Sequence, residues 1–193
     1  MTLLRGTTEC AARAAAGPDV LTRARLLIED GRAAAPGWVL GVDPSWTSTG
    51  WCLAHEGRPV SAGRIRMHWS RLAESRAALI RELLSGPRAN HATTVQLVVE
   101  QAPAVYTGHG RADQSVPYKL GVITGLVLGM ALPHWPDPVL VPVAEWRAHW
   151  GLTGGRDKCK ADAVGLVRAR WPALPVASDD VAEAVLIAVG WRT

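Results

Sequence analysis

One stretch constrains the fold more than any other: W-V-L-G-V-D-P-S-W-T-S-T-G-W-C-L, Trp38 to Leu53. An apolar run stops at Asp43, passes through Pro44 and a set of hydroxyl residues to Gly50, then turns apolar again. An unbroken apolar run of this kind suits a strand covered on both faces, as in a sheet flanked by helices. V-Q-L-V-V-E, Val95 to Glu100, repeats the pattern: a short apolar strand, then an acid.

From Trp38 onward the chain reads as strands at Val39–Asp43, Gly50–His55 and Val60–Met67, joined by short turns carrying Pro, Ser and Gly, as in an antiparallel meander. A helix over 69–84 follows and ends at Gly86-Pro87. After Val95–Glu100 come an apolar helix over 114–132, a strand at Val139–Val143, and helices at Ala144–Trp150, Asp157–Arg170 and Asp180–Trp191. Gly121, Gly125 and Gly129 recur every four residues, which predicts close packing of that helix on the sheet. Elements in this order predict a mixed sheet covered by helices, the α/β class. Residues 1–37 are Ala- and Arg-rich, and Leu21, Ala24, Leu27 and Ile28 fall at helical spacing. The expected organisation is an N-terminal helical extension over 1–37 and one domain over 38–193.

A chain of 193 residues, 48% hydrophobic, is long enough for one domain with a sizeable core. No apolar stretch of about 18 residues predicts a membrane span. The first ten residues lack the basic and apolar regions of a signal peptide. Cys10, Cys52 and Cys159 are odd in number and far apart, which suits reduced thiols better than a disulfide framework. A cytoplasmic location is therefore expected. The formal charge is +4 and uneven: seven Arg face two Glu from Arg58 to Arg88, and six basic residues face two Asp from Arg147 to Arg170. A polyanion partner and a solvated basic surface fit this equally.

Three acidic positions can share one site. If the strands ending at Asp43 and Glu100 are parallel neighbours, both carboxylates emerge where α/β sheets hold their ligands. In S-D-D-V-A-E-A-V-L-I-A, Asp180 and Glu183 are three apart and share one side of a helix. Each has a plainer reading: Asp43-Pro44 suits a turn, Glu100 a strand end, and Asp180 with Glu183 a capping box. Together, four converging carboxylates would repel unless they held hard cations, Mg²⁺ or Mn²⁺. Two such ions ~3.5–4 Å apart can activate a water and stabilise the leaving oxygen of a phosphodiester.

G-V-D-P-S-W-T-S-T-G-W-C-L resembles the G-I-D-P-G-x-x-x-T-G segment of RuvC-type Holliday junction resolvases. V-V-E-Q resembles their second acidic strand, and D-V-A-E-A-V-L-I-A their C-terminal D-x-A-D-A-x-x-I-A helix. The resemblance runs from Trp38 to about Val189. It implies an RNase H-like fold, a five-stranded mixed sheet with its first three strands antiparallel, flanked by helices. It also implies a homodimeric Mg²⁺-dependent endonuclease (Mn²⁺ substituting) with two ions per site, nicking opposed strands of a four-way DNA junction. Asp43, Glu100, Asp180 and Glu183 would be the metal-binding carboxylates, with Asp179 competing for the role of Asp180. Lys160 matches a basic position of the family. Ser45 stands in place of a usual Gly, and Glu183 in place of a usual Asp. The family's stacking aromatic has no direct match; Tyr106 is the nearest substitute.

The chain has 18 Arg but three Lys, Lys119, Lys158 and Lys160. A compact ammonium pairs with a phosphate differently from a planar guanidinium. Arg111, Lys119, Arg156, Lys158 and Lys160 are the expected DNA contacts, with Trp46 and Tyr106 as stacking aromatics. Of nine Trp, Trp146 and Trp150, four apart on a short helix, read first as packing. Other functions fit the same residues: an RNase H-like nuclease for RNA–DNA hybrids or flaps, a junction-binding module without activity, and, against the chain's length, an actin-like ATPase.

Overall fold

The computed structural model describes residues 37–68, 95–101 and 115–191 except 133 and 136, together with Glu74, Ala77, Ala78, Arg81 and Leu83. Five strands, β1 (Trp38–Asp43), β2 (Ser48–His55), β3 (Arg58–Arg66), β4 (Val95–Gln101) and β5 (Val139–Pro142), form one sheet in the order β3-β2-β1-β4-β5. β1 to β3 are antiparallel neighbours, while β1–β4 and β4–β5 are parallel. Among the described residues four helices follow β4: α1 (Ser115–Ala131), α2 (Val143–His149), α3 (Arg156–Arg170) and α4 (Asp179–Gly190). Glu74, Ala77, Ala78, Arg81 and Leu83 are helical, inside the stretch expected to be a helix. No helix among the described residues is long and apolar enough to cross a membrane. The extension expected over 1–37 lies outside the described residues apart from Gly37.

Alternation along the strands divides the core into two layers. Leu40, Val42, Leu53, Leu97 and Val99 face Ile123, Val127, Met130 and Ala131 of α1. Val39, Cys52, Ala54, Val98 and Val141 face α2, α3 and α4. Counting by twos therefore puts Asp43 on the α4 side with Val39 and Gly41, and Glu100 on that same side with Val98. Val42 pairs with Val99, so the two carboxylates stand at the same level of adjacent parallel strands.

α4 carries no polar stripe, and every residue from Val181 to Val189 is buried, as for a helix enclosed all round. It lies directly on two strand glycines. A Cβ on Gly41 would come within 2.6 Å of the Ala188 nitrogen, and one on Gly50 within 2.0 Å of the Asp180 carbonyl oxygen. Ala184 and Ala188 complete the small surface that permits this approach.

Several boundaries differ from the sequence reading. Glu56 and Gly57 both have positive φ (49° and 73°), the two-residue turn that matches strand twist, so β3 starts at Arg58 immediately after it. β2 begins at Ser48, two residues before the apolar run. Gly121, Gly125 and Gly129 do not pack on the sheet: a Cβ at any of them meets nothing within 4 Å among the described residues. α1 is apolar nearly all round, and its bulky residues Ile123, Val127 and Met130 fill the space against the sheet instead. α4 starts at Asp179, capped by the Ser178 hydroxyl, which accepts from the Val181 amide at 3.4 Å. Asp180 is thus inside the first turn and is not the cap.

Candidate active site

Six elements converge where β1 and β4 end. Asp43, 5% exposed, closes β1 opposite Gly50 of β2. Glu100 comes from β4, Asp180 and the buried Glu183 from α4, Lys160 from α3, Trp146 and Arg147 from α2, and Ser48 from β2. The Ser48 hydroxyl donates to Asp180 Oδ2. Trp146 Nε1 donates to Glu100 Oε2 at 2.9 Å, and Arg147 Nη2 to Glu183 Oε1 at 2.8 Å. The Lys160 ammonium bonds Asp179 Oδ2 and lies 3.7 Å from Glu183 Oε2 and 3.9 Å from Asp180 Oδ1.

The protonation behaviour follows from this crowding. Asp43 is held well above the ordinary carboxylate range, by burial first and then by the charges of Glu100, Glu183 and Asp180, with Lys160 opposing. Glu100 is raised to about 7 by burial and by Glu183, against the Trp146 hydrogen bond and the Arg147 and Lys160 charges. Burial raises Asp180 too, opposed by the Ser48 hydroxyl. Burial pushes Asp179 the same way, but its bond to Lys160 outweighs this and leaves it lowered. Burial disfavours the Lys160 ammonium, yet Asp179, Glu183 and Asp180 together raise its pKa, so it remains a cation. Asp180 therefore belongs electrostatically with Asp43, while Asp179 is occupied by Lys160.

A stability trend follows. Glu100 binds its proton more tightly folded than unfolded, so between about pH 4.5 and 7 the folded state holds protons the unfolded state has released, and stability falls as pH rises. Asp43 acts in the same direction. Asp179, lowered, gains stability with pH, but in a window below the ordinary Asp value of 3.8. In EDTA, the thermal midpoint is expected to drop by about 5 °C between pH 5 and 8. Glu100→Gln should flatten that slope, and a flat wild-type profile in calorimetry would refute the assignment.

Among the described residues, no three His, Cys, Asp or Glu side chains are drawn together closely enough to hold an ion in their present placement; Lys160 and Arg147 stand among the acids. The donor chemistry nonetheless fits a hard divalent cation: four carboxylates, two of them fully enclosed, with a mutual repulsion that a cation would relieve.

The other expected residues are scattered. Lys158 is exposed and pairs with Asp162 one turn on. Arg156 is exposed at the start of α3. Lys119 of α1 lies 5.8 Å from the Trp46 ring centre, linking α1 to the turn after Asp43. Tyr106 and Arg111 lie outside the described residues. Trp150 is a packing residue, its Nε1 donating to the Leu186 carbonyl at 2.8 Å and its ring edge-on to Trp171. Trp146, read as packing, also binds a candidate ligand, and Arg147 was not singled out. The signal available for both was their place: a W-R pair one turn past the strand beside that of Glu100.

No family model and no curated protein matches the chain. Among solved structures it is similar to Thermus thermophilus RuvC in complex with Holliday junction substrate, with TM-score 0.55 and 19% identity over 79% of this chain and 90% of that one. A second Thermus thermophilus RuvC structure gives TM-score 0.55 and 20% identity over 79% and 92%. The five-stranded mixed sheet with its flanking helices thus has the RNase H-like α/β fold, and the chain shares that fold with the RuvC-type resolvases.

Proposed function

We propose that this chain is a divalent-metal-dependent endonuclease that resolves four-way DNA junctions by paired nicks, working as a homodimer. The observation that carries this reading is that Asp43 and Glu100 stand at the same level of two adjacent parallel strands, beneath the buried helix that carries Asp180 and Glu183. The motif order and the RuvC-like fold support the same assignment. Asp43, Glu100, Asp180 and Glu183 would hold the cation, which supplies an activated water and charge stabilisation for the departing oxygen.

The chain's own residues do the rest. Lys160 and Arg147 balance the charge of the buried acids, and Lys160, kept charged, would pair with a phosphate oxygen of the DNA. Ser48 holds Asp180 by one oxygen. Lys119, Arg156 and Lys158 supply cationic contacts to the DNA backbone, with Trp46 beside Lys119 as a stacking surface. Backbone contacts position and carry little sequence information, so junction selectivity rests on shape and on the spacing of two sites in a dimer. Binding should weaken steeply with salt.

The test is cleavage of a labelled four-way junction beside linear duplex, flap and RNA–DNA hybrid, with Mg²⁺, Mn²⁺ or EDTA. Paired symmetric nicks in the junction alone, abolished by EDTA, are expected. Cutting mainly of hybrid or flap would overturn the substrate assignment. Tight junction binding without cutting in either metal would overturn the enzymatic one.

A further inference from the structure

α2 follows β5, the strand beside that of Glu100, and one turn of it reaches two acids from different elements. Trp146 is 4% exposed, and its Nε1–H donates to Glu100 Oε2 at 2.9 Å. Its ring also carries the Arg147 guanidinium, 5.2 Å from the ring centre, and that guanidinium holds Glu183 at 2.8 Å. A buried Trp N–H usually finds an acceptor, and a backbone carbonyl can serve, as Leu186 does for Trp150. Trp146 uses a candidate metal ligand instead.

Resting on the function proposed above, we propose that Trp146 is a positioning residue: its indole N–H fixes Glu100 by Oε2 and leaves Oε1 as the oxygen that would serve a cation. A Glu side chain has three rotatable bonds, so an untethered carboxylate at a strand end loses rotamer freedom each time it binds an ion. A carboxylate already held by a rigid, buried donor has lost most of that freedom on folding. Partners of this kind behind metal ligands typically alter affinity by 10–100-fold. A role in packing alone needs the ring and not its N–H, and Phe separates the two.

The experiment is calorimetric titration of Mn²⁺ into the full-length protein at pH 8 without DNA, for wild type, Trp146→Phe, Glu100→Gln and the double variant. Trp146→Phe is expected to weaken Mn²⁺ binding roughly tenfold while unfolding cooperatively in EDTA, and to add nothing in the Glu100→Gln background. Unchanged Mn²⁺ affinity in Trp146→Phe, or the same loss on top of Glu100→Gln, overturns the proposal and leaves the nuclease reading intact. A wild type that binds no Mn²⁺ removes the nuclease reading itself. A measurement independent of any substitution uses ¹⁵N-labelled wild type saturated with Mg²⁺. The Trp146 indole N–H is expected to stay hydrogen-bonded and slow to exchange; a free, fast-exchanging indole under those conditions also overturns the proposal.

Discussion

On the proposed function, Asp43→Asn is expected to leave a folded protein whose metal-dependent junction cleavage falls at least about a thousand-fold, roughly 4 kcal/mol of barrier. Asp43 is buried: it ends β1, lies opposite Gly50, and is covered by α4. Asn keeps the shape and can still accept a hydrogen bond, but it carries no charge for a cation. The same change removes a buried carboxylate whose ionised form is opposed by burial and by three neighbouring acids. In EDTA at pH 8, stability should therefore be unchanged or rise by about 1 kcal/mol, as when buried charge is replaced by a neutral isostere. The pair of measurements is cleavage rate and thermal midpoint. Near-normal cutting by Asp43→Asn would remove the site from the mechanism. Asp179→Asn is the neighbouring control: it frees Lys160 without altering the four acids, and it should keep cutting.

Gly50→Ala is the second large effect, and it acts through backbone. The new Cβ would sit 2.0 Å from the Asp180 carbonyl oxygen, 2.4 Å from its carbon and 2.9 Å from the Val181 nitrogen. No rotamer change relieves a clash with main chain, so the first turn of α4 must move off the sheet. Loss of about 3 kcal/mol or more is expected, at the upper end for overpacking. The acids respond as well, because Asp180 and Glu183 ride on that turn while Asp43 stays on the strand; cleavage should fall with the stability. Gly121→Ala gives the contrast. Its Cβ meets nothing within 4 Å among the described residues, so exchanging a helix-interior Gly should stabilise by about 0.5–1 kcal/mol. Denaturant midpoints for the two variants check both claims, and equal midpoints would contradict the close contact of α4 with the sheet.

The sheet was legible in the sequence because its central strands are covered on both faces. β1 and β4 then read as unbroken apolar runs, and alternation from Val39 and Val98 places Asp43 and Glu100 on one side. Helix α4 was legible for the same reason, although its first residue was not. Asp180 and Glu183 have the spacing of a capping pair, and nothing local says that Ser178 already serves the Val181 amide. α1 misled in the opposite way: with apolar residues all round, its periodicity does not say which stripe meets the sheet, and three regularly spaced glycines looked like a contact surface. Trp146 was hidden because hydropathy registers the indole body and ignores its single N–H. Arg147 was one of 18 Arg, and its pairing with Glu183 depends on a bend between β5 and α2 that no spacing rule describes.

The enclosure of α4 also bears on how the protein is made. A ribosome that has reached residue 178 has already produced Asp43 and Glu100 and all five strands, but neither Asp180 nor Glu183. The sheet face that α4 covers is still open at that moment, and the glycines at 41 and 50 have nothing lying on them. Synthesis at ~5–20 residues per second brings the missing helix within about a second or two. The same helix thus closes this side of the core and carries Asp180 and Glu183, so neither can be in place without the other.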